Sequence, residues 1–337
     1  MTERRYNKIN NTLGWLVFAI AATTYLLTLE PSASFWDCGE YIAQSYRMEV
    51  GHPPGNPVYV LAARFFANFA SSPENVAWCI NAMSAVFSAA TIMLLFWTIT
   101  HLARRLLTHN LRTQLSDRQT IMVMAAGLCG ALAYTWSDTF WFSAVEAEVY
   151  AFSSLCTALS FWLVLKWENR AEQPHSDRYL VAIAYIVGLS IGVHLLNLLC
   201  IPAIVLCIYY RKTHTTHWWS TLSVLLMSFS MIVFILYGMV PGFLKMAQLT
   251  ELTAVNLLGF NYNSGLITYT ALFVATATTT LWLLYRQRHT LLSKAAFLLT
   301  LALSGTFVLG DAPYLPVLLL GFCGLVLFFT KKTPSRR

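Results

Sequence analysis

Two carboxylates three residues apart, Asp37 and Glu40, stand just past the first long apolar run, in SFWDCGEYIAQSYRMEVGHPPGNP. On a helix this spacing puts both on one face. Such a pair can take a proton from a hydroxyl as general base, or share a divalent cation through oxygen ligands. Ser34, three residues ahead of Asp37, is the predicted N-cap of that helix. The plainer alternative is that Asp37 only caps or solvates a loop. A second pair, Glu146 and Glu148, lies in WFSAVEAEVYAF (141–152), flanked by apolar residues on every side. A carboxylate against Trp141, Phe142 and Tyr150 costs at least about 2 kcal/mol unless it is paired. Ionisable residues near membrane depth are functional candidates, although two solvated acids in a surface turn would also fit. If the two loops meet, Asp37, Glu146 and Glu148 form an oxygen set suited to Mg²⁺ or Mn²⁺. The residues alone leave open whether a metal is present.

Other polar groups in the same class of loops suit substrate binding. GHPPGNP (51–57) is a rigid, sharply turned loop, and its His52 can donate to a phosphate or a sugar hydroxyl. GLSIGVHLLNLLCIP (188–202) places His194 and Asn197 inside an otherwise apolar stretch. There they serve either a ligand or hydrogen bonds between helices. Arg47 and Arg64 supply the planar fork that matches phosphate. With Glu146, Glu148 and Tyr150 these residues complete the predicted binding set.

The elements that must hold these groups are membrane helices. Of 337 residues, 57% are hydrophobic and 11% charged, against about 25% charged in a soluble domain. Ten apolar runs are predicted to span: 12–29, 76–100, 120–137, 148–167, 179–194, 197–210, 217–240, 265–285, 292–309 and 314–330. With ten spans both termini share one side. That side collects all of the 22 Lys and Arg except Arg47, Arg64 and Lys245, which makes it cytoplasmic. Merging the fifth and sixth runs would scatter the basic clusters. Most of the 15 acids fall on the other, outer side, and charge-driven topology gives no reason for that. The first run reads as an anchor rather than a cleaved signal. Segments 58–70 and 243–260 are predicted to be amphipathic helices lying on the outer surface. The net charge of +7 is spread in short clusters between apolar runs and does not indicate nucleic acid. Seven Cys without a CxxC pair read as small core residues.

Acids gathered at one face, with span centres almost free of charge and no internal repeat, favour an enzyme acting at the outer face. A transporter or flippase of a lipid-linked or small polar solute would place its charges near the midplane. A structural scaffold is the third reading.

Three segments, SFWDCGEYIAQSYRMEVGHPPGNPVYVLAARFF, VEAEVYAFSSL and GLSIGVHLLNLL, resemble in order the membrane proteins grouped as domain of unknown function 2723. That family is similar to the protein O-mannosyltransferases of the GT-C glycosyltransferases. The likeness runs over about residues 10–330. It implies an all-α polytopic GT-C bundle forming one domain over 1–337, with the acidic motif in outer loop 30–75. It also implies a polyprenyl-phosphate sugar donor, a protein Ser/Thr acceptor and inverting transfer, with Asp37 and Glu40 as the catalytic acids. The one cofactor considered is the divalent cation named above, Mg²⁺ or Mn²⁺. Relatives are often longer, so the resemblance makes this chain the shared membrane part. The expected location is a bacterial inner membrane, with both termini cytoplasmic.

Overall fold

A computed structural model describes residues 1–53, 55–108, 114–213, 217–286 and 291–305. The regular structure of those residues is helical, without strands. The chain forms two compact units, Met1–His214 and Thr215–Arg337.

The first unit is built on three long helices, α1 (Glu3–Leu27), α4 (Val76–Thr108) and α7 (Val149–Glu168). Small residues let them approach closely: Ala85, Ser88 and Ala89 of α4 are fully buried, and Val17, Ala21 and Tyr25 of α1 share their core. α3 (Pro57–Ala67), which buries Tyr59 and Ala63, and α2 (Cys38–Arg47) pack beside the start of α4. Pro57 sits in the first turn of α3, where its missing N–H costs nothing. A capping box of Ser116 and Gln119 starts α5 (Asp117–Thr135). The chain then bends by 67° into α6 (Asp138–Ala144). α8 (Asp177–Ile191) ends in a short turn, followed by a 3₁₀ turn (Leu195–Cys200) and α9 (Ile201–Lys212). The fifth and sixth predicted runs are therefore separate elements.

In the second unit, α10 (Trp218–Phe234) and α11 (Val240–Leu252) belong to one helical run of 40 residues, Trp218–Leu257, interrupted by two π turns. Segment 243–260 was expected to lie apart as a surface helix; most of it instead continues the preceding run. Pro241 looks like a stop, but a widened π turn directly ahead of it takes up the missing backbone N–H. α12 (Ser264–Tyr285) and α13 (Leu291–Leu303) pack together.

Among the described residues five helices are long and apolar enough to cross a membrane, or six if the bent α5–α6 pair is one span. The expected ten are not reproduced. α1 and α8 form as helices without meeting that standard of length and apolarity, and α13 has only 13 residues. The tenth predicted run, 314–330, lies outside the described residues.

Candidate functional site

Three loops converge at the end of the first unit where α4 begins. The loop after α1 is pinned to α4 by the buried Asn81, whose Nδ2 donates to the carbonyls of Glu30 (2.8 Å) and Ser32 (3.0 Å). It is tied to the α6–α7 loop by the Glu30 N–H, which donates to the Val145 carbonyl at 3.1 Å. The α8–α9 turn joins through the Gly192 carbonyl, which accepts from the N–H groups of Val58 (2.8 Å) and Tyr59 (3.2 Å) at the start of α3. A Cβ on Gly192 would lie 2.5 Å from Val58 Cγ2, so only glycine permits this contact.

Between these loops lies a cavity of about 480 Å³. The first loop contributes Trp36 and Asp37, and α2 contributes Tyr41. Asp37 is itself the N-cap residue of α2, with no side-chain capping bond. The helix therefore starts one turn later than the Ser34 cap predicted, and Asp37 keeps its carboxylate exposed at the cavity. Trp36, just before it, holds φ of +58°, a left-handed conformation that costs a residue with a bulky side chain of order 1 kcal/mol or more. His52 and Asn56 come from the α2–α3 turn, Glu146, Glu148 and Tyr150 from the α6–α7 loop, and His194 from the third loop.

Glu40 stands outside the lining and holds His52. Its carboxylate accepts from the His52 backbone N–H at 2.7 Å and from Nδ1 at 3.0 Å. The other ring nitrogen, Nε2, lies 3.9 Å from Asp37 Oδ2. Hydrogen bonding to His52 lowers the Glu40 pKa, and the same carboxylate raises that of His52. The turn closes because Gly51 lacks a side chain: a Cβ there would sit 1.8 Å from Gln44 Oε1 and 2.9 Å from Glu40 Oε1. Asp37, Glu40 and His52 bring their ligand atoms within 4.8 Å of one another. Two carboxylates and an imidazole can accept Mn²⁺ or Mg²⁺. Glu146 and Glu148, expected beside Asp37 in such a set, fall outside it.

The second pair of acids is buried, at 4% exposure for Glu146 and 6% for Glu148. Burial pushes the Glu148 pKa up to about 7, helped by the charges of Glu146 and Asp37. Glu146 is raised by burial and by Glu30, against a hydrogen bond from Ser34. Its Oε2 has no hydrogen-bond partner among the described residues. The cavity thus carries a protonatable acid and an unsatisfied acceptor as well as the exposed Asp37. His194 Nδ1 accepts from the Leu196 N–H at 3.2 Å, and burial lowers its pKa. As the acceptor of that bond Nδ1 carries no proton, which leaves Nε2–H as the ring's donor. Tyr150 packs against it at 5.5 Å between ring centroids.

Three predicted binding residues do not line the cavity. Arg64 donates to the Tyr46 carbonyl and lies 5.6 Å from that ring. Arg47 faces Glu49 at 3.8 Å and is largely exposed. Asn197 is buried and bonded to Thr157 of α7, as an interhelical polar contact would be. Sequence reasoning missed Tyr41, which is buried at the cavity with its pKa pushed up to about 12 by burial, then by Glu148 and Asp37. Its position four residues after Asp37, on the same helix face, was the available signal.

Residues 37–217, more than half of the chain, match the family described as the Protein O-mannosyl-transferase TMEM260 N-terminal domain. The chain belongs to this family. The matched region contains every residue of the cavity wall except Trp36. The chain is 28% identical over 192 residues to mouse Protein O-mannosyl-transferase TMEM260, covering 57% of this chain and 24% of that protein. It is 26% identical over 189 residues to Protein O-mannosyl-transferase tmem260 of Dictyostelium discoideum, covering 54% and 21%. The match thus spans about a quarter or less of either relative. No solved structure matches. The family supports the likeness to protein O-mannosyltransferases read from the motifs, though not the narrower name, domain of unknown function 2723. Both relatives are eukaryotic and lend no support to a bacterial inner membrane.

Proposed function

We propose that the cavity is a glycosyl-transfer site, which moves a mannose-like sugar from a polyprenyl-phosphate donor to a protein Ser or Thr hydroxyl. The observation that carries this is the convergence of three loops, distant in sequence, on one cavity that holds both the exposed Asp37 carboxylate and the buried Glu146 and Glu148. The family and the names of its relatives support the choice of sugar and acceptor. Asp37 takes the proton of the acceptor hydroxyl as its oxygen bonds to the sugar C1. The bond from C1 to the phosphate oxygen breaks, and the lipid phosphate leaves with the electron pair. Attack opposite the leaving group inverts C1.

The other residues position these atoms. Glu40 fixes the His52 ring beside Asp37 and favours its charged form, which balances the negative charge of the leaving phosphate. Glu148, half protonated near pH 7, can donate to a sugar hydroxyl, and the open Oε2 of Glu146 can accept from one. His194 offers its Nε2–H, while Tyr150 gives the sugar an aromatic face. Arg64, held against Tyr46, is assigned to the lipid phosphate once it has left the cavity. In this reading the fold is a GT-C-type bundle and the site lies on the non-cytoplasmic side. A divalent cation on Asp37, Glu40 and His52 would neutralise the same phosphate charge, and EDTA treatment separates the two cases. The test is to incubate the purified full chain with polyprenyl-phosphate mannose labelled in the sugar and a Ser/Thr-rich peptide. Label should pass from lipid to peptide. Label moving across a proteoliposome wall with no glycosidic product would replace this reading with transport.

A further inference from the structure

The opposite end of the first unit holds a second cavity, of about 640 Å³. It lies between the first turns of α1 and the last turns of α4, α7 and α9. Along α4, Asn81 ties the site loop and Arg104 lines this second cavity. That stretch is roughly 35 Å at about 1.5 Å per residue, close to the thickness of a bilayer's hydrocarbon core. The two cavities thus sit at opposite ends of one membrane-length helix.

The second cavity is rich in cations. Helix C-termini attract basic side chains, and some of these cations have carboxylate partners nearby. Arg105 pairs with Glu168. Arg211 pairs with Glu172 at 3.2 Å and donates to the Glu168 carbonyl at 3.0 Å. Lys166 and Arg170 differ, because neither has a carboxylate within ion-pair distance among the described residues. The Lys166 ammonium rests 4.8 Å from the Trp162 ring centroid. Arg170 donates to the Tyr179 hydroxyl and lies 5.7 Å from that ring. Aromatic partners hold both side chains in place without neutralising their charge, although Glu3 and Glu168 also line the cavity, the latter engaged by Arg105. Across from them, Asn7, Asn10 and Asn11 present carboxamides from α1.

We propose that this cavity binds a phosphate ester, the headgroup of an anionic lipid, with Lys166 and Arg170 as its ion partners and the α1 carboxamides as neutral donors. Basic pockets between membrane helices suit anionic headgroups, and the volume lies within the usual range for ligand sites. The inference does not depend on glycosyl transfer, because no residue of the first cavity takes part.

The test uses the full chain in nanodiscs of phosphatidylcholine with and without phosphatidylglycerol, followed by native mass spectrometry of the lipid retained. The wild type should keep phosphatidylglycerol in preference to phosphatidylcholine. The double variant Lys166→Gln, Arg170→Gln should lose that preference at least ten-fold, whereas Lys166→Arg, Arg170→Lys should keep most of it. A second arm adds inorganic phosphate or glycerol phosphate to lipid-free protein. Saturable binding there, lost in the same double variant, together with no lipid preference in the wild type, assigns the phosphate to a soluble source and overturns the lipid assignment. An unchanged lipid preference in the double variant, with no phosphate binding in the wild type, overturns the proposal. If the double variant does not fold, wild-type protein is cross-linked with a photoactivatable phosphatidylglycerol. Label on the peptides carrying Lys166 and Arg170 supports the site, and label confined to other helices refutes it.

Discussion

Replacing Glu148 with Gln should stabilise the protein at high pH and do little at low pH. Glu148 is 6% exposed, and its pKa is pushed from 4.5 up to about 7. The folded state therefore holds this proton more tightly than the unfolded chain does. For a raised acid the stability falls as pH rises between the two values. Above pH 7 the folded state carries a buried charge that the unfolded chain solvates freely. At about 1.4 kcal/mol per pH unit, the span from 4.5 to about 7 gives a penalty of roughly 3 kcal/mol. Because Glu148 lines a cavity that water can enter, this is a ceiling. Gln keeps the shape without the charge. At pH 8 the variant should melt several degrees higher than wild type, at most about 10 °C. At pH 5 the penalty falls below about 1 kcal/mol, and the two curves should nearly coincide. Thermal unfolding of the purified full chain in one detergent at both pH values reads this directly. A shift of the same size at pH 5 and pH 8, or a variant less stable at pH 8, would refute the assignment of a protonated Glu148.

Gly192→Ala should lower stability by about 1–3 kcal/mol, typical of overpacking, because its Cβ would meet the stiff, β-branched Val58 at 2.5 Å. Thermal melting and the protease sensitivity of the 192–194 turn would show it. Glu40→Gln should lower the His52 pKa toward about 6.5, because the Glu40 hydrogen bond is the main cause of its rise. An NMR titration of the labelled His52 ring checks this, and an unchanged midpoint would remove Glu40 from its holding role.

The site was legible in the sequence where local spacing governs it. The i, i+3 carboxylates did mark a helix start, and the apolar neighbours of Glu146 and Glu148 did foretell burial. What joins distant segments was not legible. That Glu40 would grip His52 depends on the turn closing at Gly51, and that the third loop would dock depends on the Gly192 carbonyl. Asn197 announced a partner but not Thr157, which lies on another helix. Ser34 was the predicted cap with Asp37 at the third helical position, yet Asp37 itself takes the cap position, a start that pattern alone could not place. The expected ten spans were not reproduced among the described residues, because hydropathy does not register how a helix is interrupted or where it ends. A span over 217–240 and a separate helix over 243–260 were predicted, yet one helical run carries most of both through π turns. Residues 179–194 looked like a span, yet the helix there ends at Ile191 after 15 residues.

The central claim is that Asp37 takes the acceptor's proton, and one comparison tests it most directly. Full-length wild type and Asp37→Asn are reconstituted side by side with labelled polyprenyl-phosphate mannose and a Ser/Thr-rich peptide, and mannosylated peptide is measured over time. Asn keeps the shape of Asp37 but cannot accept the proton, and general-base help is typically worth about 10²–10⁴ in rate. The variant should therefore lose at least about two orders of magnitude in turnover while still inserting into membranes and binding donor lipid. Near-normal transfer of mannose by Asp37→Asn would contradict the account.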